Sequence, residues 1–117
     1  MVGMDPALGT GQEAFARLLR LLDGGRAWVK VSCADKLAYQ AYPFADAVAL
    51  AGALVAQAPE RVLWGTDWPH PNAGPHGVPD DGDLVDLIPM IAPDARSRQK
   101  LLIDNPAELY GFEGAGN

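Results

Sequence analysis

Two side chains capable of acid–base chemistry, Asp67 and His70, stand three residues apart at the start of a loop rich in proline and glycine. The apolar run 61–66 precedes them, and parallel α/β proteins gather their catalytic groups directly after such buried strands. A carboxylate there can accept a proton, donate one or bind a metal ion, and histidine changes charge near neutral pH. Spacing alone leaves two simpler interpretations open. Asp67 can cap its own loop, and Pro69 and Pro71 can hold an exposed His70.

Polar side chains also follow an earlier apolar segment of the chain. Lys30, Ser32 and Lys36 lie along its polar face and just beyond its end. We expect them to point toward the same mouth as Asp67, where a lysine can hold an anionic substrate by charge. Trp68 can line this mouth. The alternative for Lys36 is a solvated side chain beside an aspartate.

The acidic residues Asp80, Asp81 and Asp83 could be taken for a metal site, but we interpret them as the polar start of a helix near Asp83. His76 lies deep in the loop and has less support for a role. The spacing of Asp67 and His70 is not by itself one recognised for zinc ligands, and the sequence has no second cluster of histidines. A complete metal site therefore cannot be assembled from this sequence alone.

The composition indicates a folded protein and argues against nucleic acid as a partner. Apolar residues make up 49% of the 117 residues and charged residues 21%, which is usual for globular domains. The net charge of −6, with scattered lysines and arginines, repels a phosphate backbone. No apolar run approaches the ~20 residues of a membrane span, and the N-terminus lacks a signal-peptide pattern. We expect a cytoplasmic protein that binds neither membrane nor nucleic acid, with its single cysteine, Cys33, a small buried hydrophobe.

Helical and strand patterns alternate over the first half of the chain. Apolar spacing predicts a helix over 12–22, and period-two alternation predicts a strand over 27–33. A second helix opens with Pro43 and Asp46 and ends at Pro59, and a second strand covers 61–66. Helices and strands that alternate with short connections are typical of a parallel α/β fold.

The second half of the chain is less regular. Repeated prolines and glycines make 67–82 a long loop, and a loop of that length is usually functional or disordered. A short helix is predicted over 83–88, and another begins at Pro93. Asn105 and Pro106 form a good cap and first turn for a final helix.

Three segments resemble one branch of the amidohydrolase superfamily, the branch of 2-pyrone-4,6-dicarboxylate lactonase-like enzymes. Residues 61–70, Arg-Val-Leu-Trp-Gly-Thr-Asp-Trp-Pro-His, are similar to that branch's final barrel strand. Residues 28–32, Trp-Val-Lys-Val-Ser, resemble its seventh strand, and residues 104–112 resemble its C-terminal signature. The three motifs occur in the family's order and together span nearly the whole chain.

The resemblance implies an α/β fold, with this chain forming the last two β/α units of a (β/α)8 TIM barrel. It also implies hydrolysis of a lactone, such as 2-pyrone-4,6-dicarboxylate or a related anionic cyclic ester, with Asp67 managing the proton of the attacking water. The family's substrate-binding arginine matches Lys36, which keeps the charge but loses the bidentate fork. His70, Ser32 and Trp68 are the other expected substrate contacts.

The resemblance leaves the metal question open. The lactonase pattern implies no cofactor, whereas other branches bind zinc or manganese through histidines of the first and fifth strands. Asp67 would then be a metal ligand. A metal-dependent decarboxylase of the same superfamily is therefore an alternative, and so is a non-catalytic, truncated α/β module.

The length departs most from the family pattern, because a (β/α)8 barrel typically needs about 250 residues. The resemblance thus implies that residues 1–117 are the C-terminal fragment of a single barrel domain. We expect the isolated chain to be inactive and to self-associate through exposed sheet edges. Residues 113–117 are expected to be a disordered tail.

Overall fold

The computed structural model describes residues 3–112, so the predicted tail at 113–117 lies outside the described residues. A short 3-10 helix, Pro6–Gly11, opens the chain. The remaining elements, in chain order, are α1 (Glu13–Asp23), β1 (Val29–Val31), α2 (Ala34–Leu37), α3 (Ala45–Gln57), β2 (Val62–Trp64), α4 (Asp81–Val85), α5 (Ile88–Ile91), α6 (Ala95–Gln99), a π-helical turn (Lys100–Asp104) and α7 (Asn105–Tyr110). The chain is thus a mixture of helices with one small sheet.

The two strands pair in parallel, as the alternation of helices and strands predicts. Val29 is in register with Val62, and Val31 with Trp64. Both strands are shorter than the predicted 27–33 and 61–66, because each has only one paired neighbour among the described residues. The parallel register brings the carboxyl ends of β1 and β2 to the same edge of the sheet.

The core lies between one face of the sheet and the helices that cover it. Val29 and Val31 are buried while Lys30 between them is exposed, which confirms the predicted period-two pattern. Helix α1 confirms the predicted helix over 12–22 within one residue at each end, and α3 begins one residue before Asp46. The buried side of α3 consists of Ala47, Val48, Leu50, Ala51, Leu54 and Val55.

The C-terminal half corrects three predictions. The single helix expected over 83–88 is two short helices, α4 and α5, and α4 begins two residues early because the Asp80 side chain caps it through the Gly82 N–H. The helix expected to begin at Pro93 begins at Ala95 instead, since Asp94 caps it by accepting from the Ser97 N–H.

Asn105 is the third correction, because it does not cap a new helix. The chain runs from α6 through the π-helical turn into α7 without a break, and the Asn105 N–H donates to the Lys100 carbonyl, five residues back. The Asn105 side chain instead donates to the carbonyls of Pro59 and Val62, at 2.7 and 2.9 Å. It therefore ties the start of α7 to the start of β2.

None of the helices in the part of the chain that the structure describes is long and apolar enough to cross a membrane.

Candidate active site

The candidate site lies where the carboxyl ends of β1 and β2 meet. Ser32 and Cys33 follow β1 and lead into α2, which carries Lys36. Gly65 and Thr66 follow β2 and lead to Asp67. Because the strands are parallel and in register, the polar groups that follow them converge at one edge, as expected for a parallel α/β site.

Asp67 and Lys36 form an ion pair at this edge. The Lys36 Nζ donates to Asp67 Oδ2 at 2.6 Å and also to the carbonyl of Pro71. The two side chains are 23% and 30% exposed, Lys36 being the less exposed, so the pair is reachable from solvent. The sequence places both residues at one mouth, and the structure brings them into direct contact across 31 positions of chain.

The pair holds both groups in their charged forms. The hydrogen bond from Lys36 lowers the pKa of Asp67 below its ordinary value. The same hydrogen bond raises the pKa of Lys36. Asp67, ionised at neutral pH, can accept a proton, but its basicity is reduced while Lys36 stays bound to it.

Two local features of the chain bring Lys36 to this position. Cys33 has φ +62°, in the left-handed region, and turns the chain sharply from β1 into the four-residue helix α2. The loop after Asp67 then folds back over α2, so closely that a Cβ at Gly74 would lie 2.9 Å from the Lys36 Cα. A glycine at 74 is therefore required for this packing.

The Cys33 thiol lies beside the pair. Its Sγ is 3.7 Å from the Ser32 Oγ, and burial raises the pKa of the thiol, a rise that the Asp67 charge supports. Cys33 is half-buried and in its protonated form at neutral pH. Ser32, predicted to contact substrate, is half-buried beside it.

The chain after β2 forms a tight turn that begins at Asp67 and ends at His70. The His70 N–H donates to the Asp67 carbonyl at 2.7 Å, and the Trp68 N–H donates to the Thr66 Oγ at 3.2 Å. Asp67 and His70 have φ of +67° and +63°. Each residue with a Cβ in this region costs about 1 kcal/mol or more, so the surroundings must hold the turn in place.

His70 and Trp68, both predicted substrate contacts, belong to this turn and differ in exposure. His70 is only 6% exposed, and its Nε2–H donates to Asp81 Oδ1 at 2.8 Å. Trp68 is 73% exposed and projects from the turn into solvent. The two side chains therefore have different surroundings, although they are two residues apart.

Asp81 and Asp35 are polar residues of this region whose contacts and burial the spacing of residues does not predict. The sequence predicts Asp81 at the polar start of a helix, and it does open α4, but its side chain binds His70 as well. The Asp35 side chain is 1% exposed and neither oxygen has a hydrogen-bond partner among the described residues. No spacing signal distinguishes Asp35 from a surface aspartate, since only the fold buries it.

His76 has a structural role in this arrangement. Its Nε2 makes a 3.1 Å hydrogen bond with the carbonyl of Ala38, and its ring packs against Phe44. These contacts fasten the middle of the long loop to the segment after α2.

The described residues do not assemble a metal site. Within residues 3–112 no group of three His, Cys, Asp or Glu side chains stands close enough to hold a metal ion. Asp67 could supply one ligand, but its nearest charged partner is the ammonium of Lys36, which competes with a cation. A complete metal centre thus does not fit this part of the chain.

Comparison with known proteins gives the family. The model of a family described as Amidohydrolase matches residues 2–112, nearly the whole chain. This chain belongs to the amidohydrolase family. This match confirms the family resemblance that the three sequence motifs indicate.

Individual relatives refine the comparison. A 2-pyrone-4,6-dicarboxylate hydrolase of Comamonas testosteroni is 45% identical in an alignment 115 positions long, which covers 91% of this chain and 37% of the relative. A 4-sulfomuconolactone hydrolase of Rhizobium radiobacter is 42% identical over 109 residues, 92% of this chain and 36% of the relative. An apo crystal structure of an Agrobacterium tumefaciens protein superposes with a TM-score of 0.77 at 35% identity, covering 89% of this chain and 37% of that one. The chain therefore spans little more than a third of the proteins that it matches.

Proposed function

We propose that this chain forms the last two β/α units of a (β/α)8 barrel domain and carries the catalytic aspartate of a lactone hydrolase. The observation that carries the proposal is the Asp67 carboxylate, which stands at the carboxyl end of β2 and is kept ionised by Lys36. The names of the two relatives support the reaction class, since both are hydrolases and one of them acts on a muconolactone.

In the proposed reaction Asp67 accepts a proton from a water molecule as that water attacks the lactone carbonyl. The ester C–O bond of the ring then breaks, and the proton passes from Asp67 to the departing ring oxygen. The products are a hydroxyl and a carboxylic acid, which releases its proton to solvent and becomes a carboxylate. The lowered pKa of Asp67 ensures that it is ionised before substrate arrives.

Lys36 links substrate binding to the basicity of Asp67. Its ammonium is bound to Asp67 and to the Pro71 carbonyl in the absence of ligand. An anionic group of the substrate competes with Asp67 for this ammonium, because both are carboxylate-like acceptors. When the substrate draws Lys36 away, Asp67 regains basicity at the moment when a base is needed.

Ser32 and Trp68 complete the proposed substrate site. Trp68 offers an exposed flat apolar surface against which a lactone ring can stack. The Ser32 hydroxyl lies at the end of β1, next to the residue that leads into α2, and can donate to a substrate oxygen. Both side chains belong to the edge of the sheet at which Asp67 stands.

We also propose that the free sides of β1 and β2 pair with further strands, either of the same barrel or of a second copy. Each strand has one paired neighbour among the described residues, which leaves backbone groups on its other side for pairing, apart from the Val62 carbonyl, which accepts from Asn105. Sedimentation at several concentrations tests self-association, since a chain that stays monomeric throughout argues against a second copy.

A transplant tests the reaction. Residues 3–112 replace the matching third of the Comamonas testosteroni relative, and the chimaera is assayed with 2-pyrone-4,6-dicarboxylate, a muconolactone and an uncharged lactone of similar size. We expect ring opening of the anionic lactones and little of the uncharged one. A folded chimaera that opens none of them would contradict the proposal and favour a non-catalytic module.

A further inference from the structure

We propose that the buried His70 and the partly exposed Asp81 form a clamp that positions Asp67, so that His70 is a positioning residue. The inference deepens the proposed function and rests on it only for the catalytic role of Asp67. The clamp itself is a matter of geometry, and it can be tested without substrate.

The first step is that Asp67 and His70 are the two ends of one turn. The His70 N–H donates to the Asp67 carbonyl, and both residues have positive φ. A turn with two such residues does not hold its shape by itself, because each is more stable in another conformation. Whatever fixes His70 therefore also fixes the backbone from which the Asp67 carboxylate projects.

The second step is that His70 is fixed through its side chain. The imidazole is 3% exposed, and its Nε2–H is bound to Asp81 Oδ1 at 2.8 Å. Its Nδ1 is buried and has no hydrogen-bond partner among the described residues. The ring therefore faces the interior of the protein, and its one hydrogen bond among these residues is to Asp81.

The third step is that Asp81 is itself anchored. It is the first residue of α4, whose N-terminus is capped by Asp80 and whose Leu84 is buried in the core. The clamp thus connects the turn to a helix fixed in the core, across the intervening loop 71–80. The charged residues next to the clamp in the chain are Asp67, which begins the turn and is bound to Lys36, Asp80, which caps α4, and Asp83, which lies within α4.

The clamp also affects the ion pair between Lys36 and Asp67, through Pro71. Lys36 is held by the Asp67 carboxylate and by the carbonyl of Pro71, the residue directly after His70. Movement of His70 displaces both acceptors together. The state of the Lys36 ammonium is therefore a reporter of the clamp.

The test compares two acidic residues of α4 in the 117-residue chain. Asp81→Ala removes the clamp, whereas Asp83→Ala removes an equal charge from an exposed residue of the same helix turn. The readouts are the ¹⁵N-detected signal of the Lys36 ammonium and hydrogen exchange of the His70 amide. We expect Asp81→Ala to broaden the Lys36 signal and to speed His70 exchange roughly tenfold or more, while Asp83→Ala leaves both unchanged.

A second pair of variants separates the contact from the charge of histidine. Both His70→Gln and His70→Asn are uncharged, but only the longer amide of glutamine reaches the place of Nε2 and can donate to Asp81. We expect His70→Gln to keep the Lys36 signal and His70→Asn to lose it. Equal behaviour of the two, or of Asp81→Ala and Asp83→Ala, overturns the clamp.

Two controls keep these outcomes decisive. Exchange of the β1 and β2 amides reports general loosening, which the clamp does not predict. If Asp81→Ala does not fold, the His70 pair, which retains Asp81, decides the matter. Because no substrate is used, failure of the clamp and failure of lactone hydrolysis are seen in different experiments.

Discussion

Replacing Asn105 with alanine tests how β2, the strand that leads to Asp67, is held in place. The Asn105 amide is buried and donates to the carbonyls of Pro59 and Val62. Successive carbonyls along a strand point to opposite sides, and the Arg61 carbonyl accepts from the Val29 N–H of β1. The Val62 carbonyl therefore faces away from β1, and Asn105 satisfies it there.

The magnitude follows from these two hydrogen bonds. Each contributes about 1 kcal/mol net, and the Val62 carbonyl, buried and left without a donor, adds a further penalty of about 1 kcal/mol. We therefore expect Asn105→Ala to lower the free energy of unfolding by about 2–3 kcal/mol. For a domain of this size that is a fall in Tm of roughly 10 °C.

Urea unfolding followed by far-UV circular dichroism measures this loss. Asn105→Asp keeps the size of the side chain but replaces the donor amide with a carboxylate oxygen, which cannot donate to the two carbonyls. We therefore expect the free energy of unfolding to fall at least as much. Gln99→Ala is the control, because Gln99 makes one long, exposed hydrogen bond to Asp104. A loss below about 0.5 kcal/mol for Asn105→Ala, the usual range of surface substitutions, would refute the reasoning.

Three further predictions concern the site. Asp35→Asn should raise the free energy of unfolding by about 1 kcal/mol or more, because it removes a buried charge with no partner among the described residues; a lower urea midpoint would contradict this. Gly74→Ala should cost about 1–3 kcal/mol, since its Cβ would collide with the Lys36 backbone, whereas Gly11→Ala, with open space around it, should cost less than 1 kcal/mol. Lys36→Met should destabilise the chain at pH 7, and the difference from the parent should vanish as the pH falls through the lowered pKa of Asp67. A folded-state pKa below the unfolded value stabilises only where the carboxylate is ionised, so a pH-independent difference would contradict the ion pair.

Local patterns in the sequence predict the frame of the site well. Period-two alternation identifies β1, helical spacing identifies α1 and α3, and proline and glycine mark the loop that follows Asp67. Together they place the strand ends and their polar residues at one edge of a parallel sheet. These features depend on residues that are near one another along the chain.

Contacts between distant segments are not predicted in this way. Asn105 looks like a helix cap, yet its side chain reaches carbonyls more than 40 positions away. Asp35 looks like a surface residue and is buried, because the covering segments come from elsewhere in the chain. In both cases local spacing identifies the residue type but cannot say which distant group it meets.

His70 shows the same limit within the candidate site. Its position three residues after Asp67 predicts that His70 lies near the edge of the sheet where Asp67 stands. The direction of its side chain depends instead on the positive φ at the end of the turn and on Asp81, 11 positions ahead. A change of turn geometry would expose the same imidazole. The sequence therefore predicts the location of the site better than the role of each side chain.

The substitution Asp67→Asn in the transplanted barrel is the most direct test of the central claim that Asp67 manages the proton of the attacking water. The amide keeps the shape of the side chain but cannot accept that proton, so we expect kcat for ring opening to fall by a factor of about 10²–10⁴, with KM changed much less. Asp83→Asn, which removes an exposed charge from α4, is the matched control and should keep the parent rate. A chimaera whose Asp67→Asn variant opens the lactone at the parent rate would contradict the account.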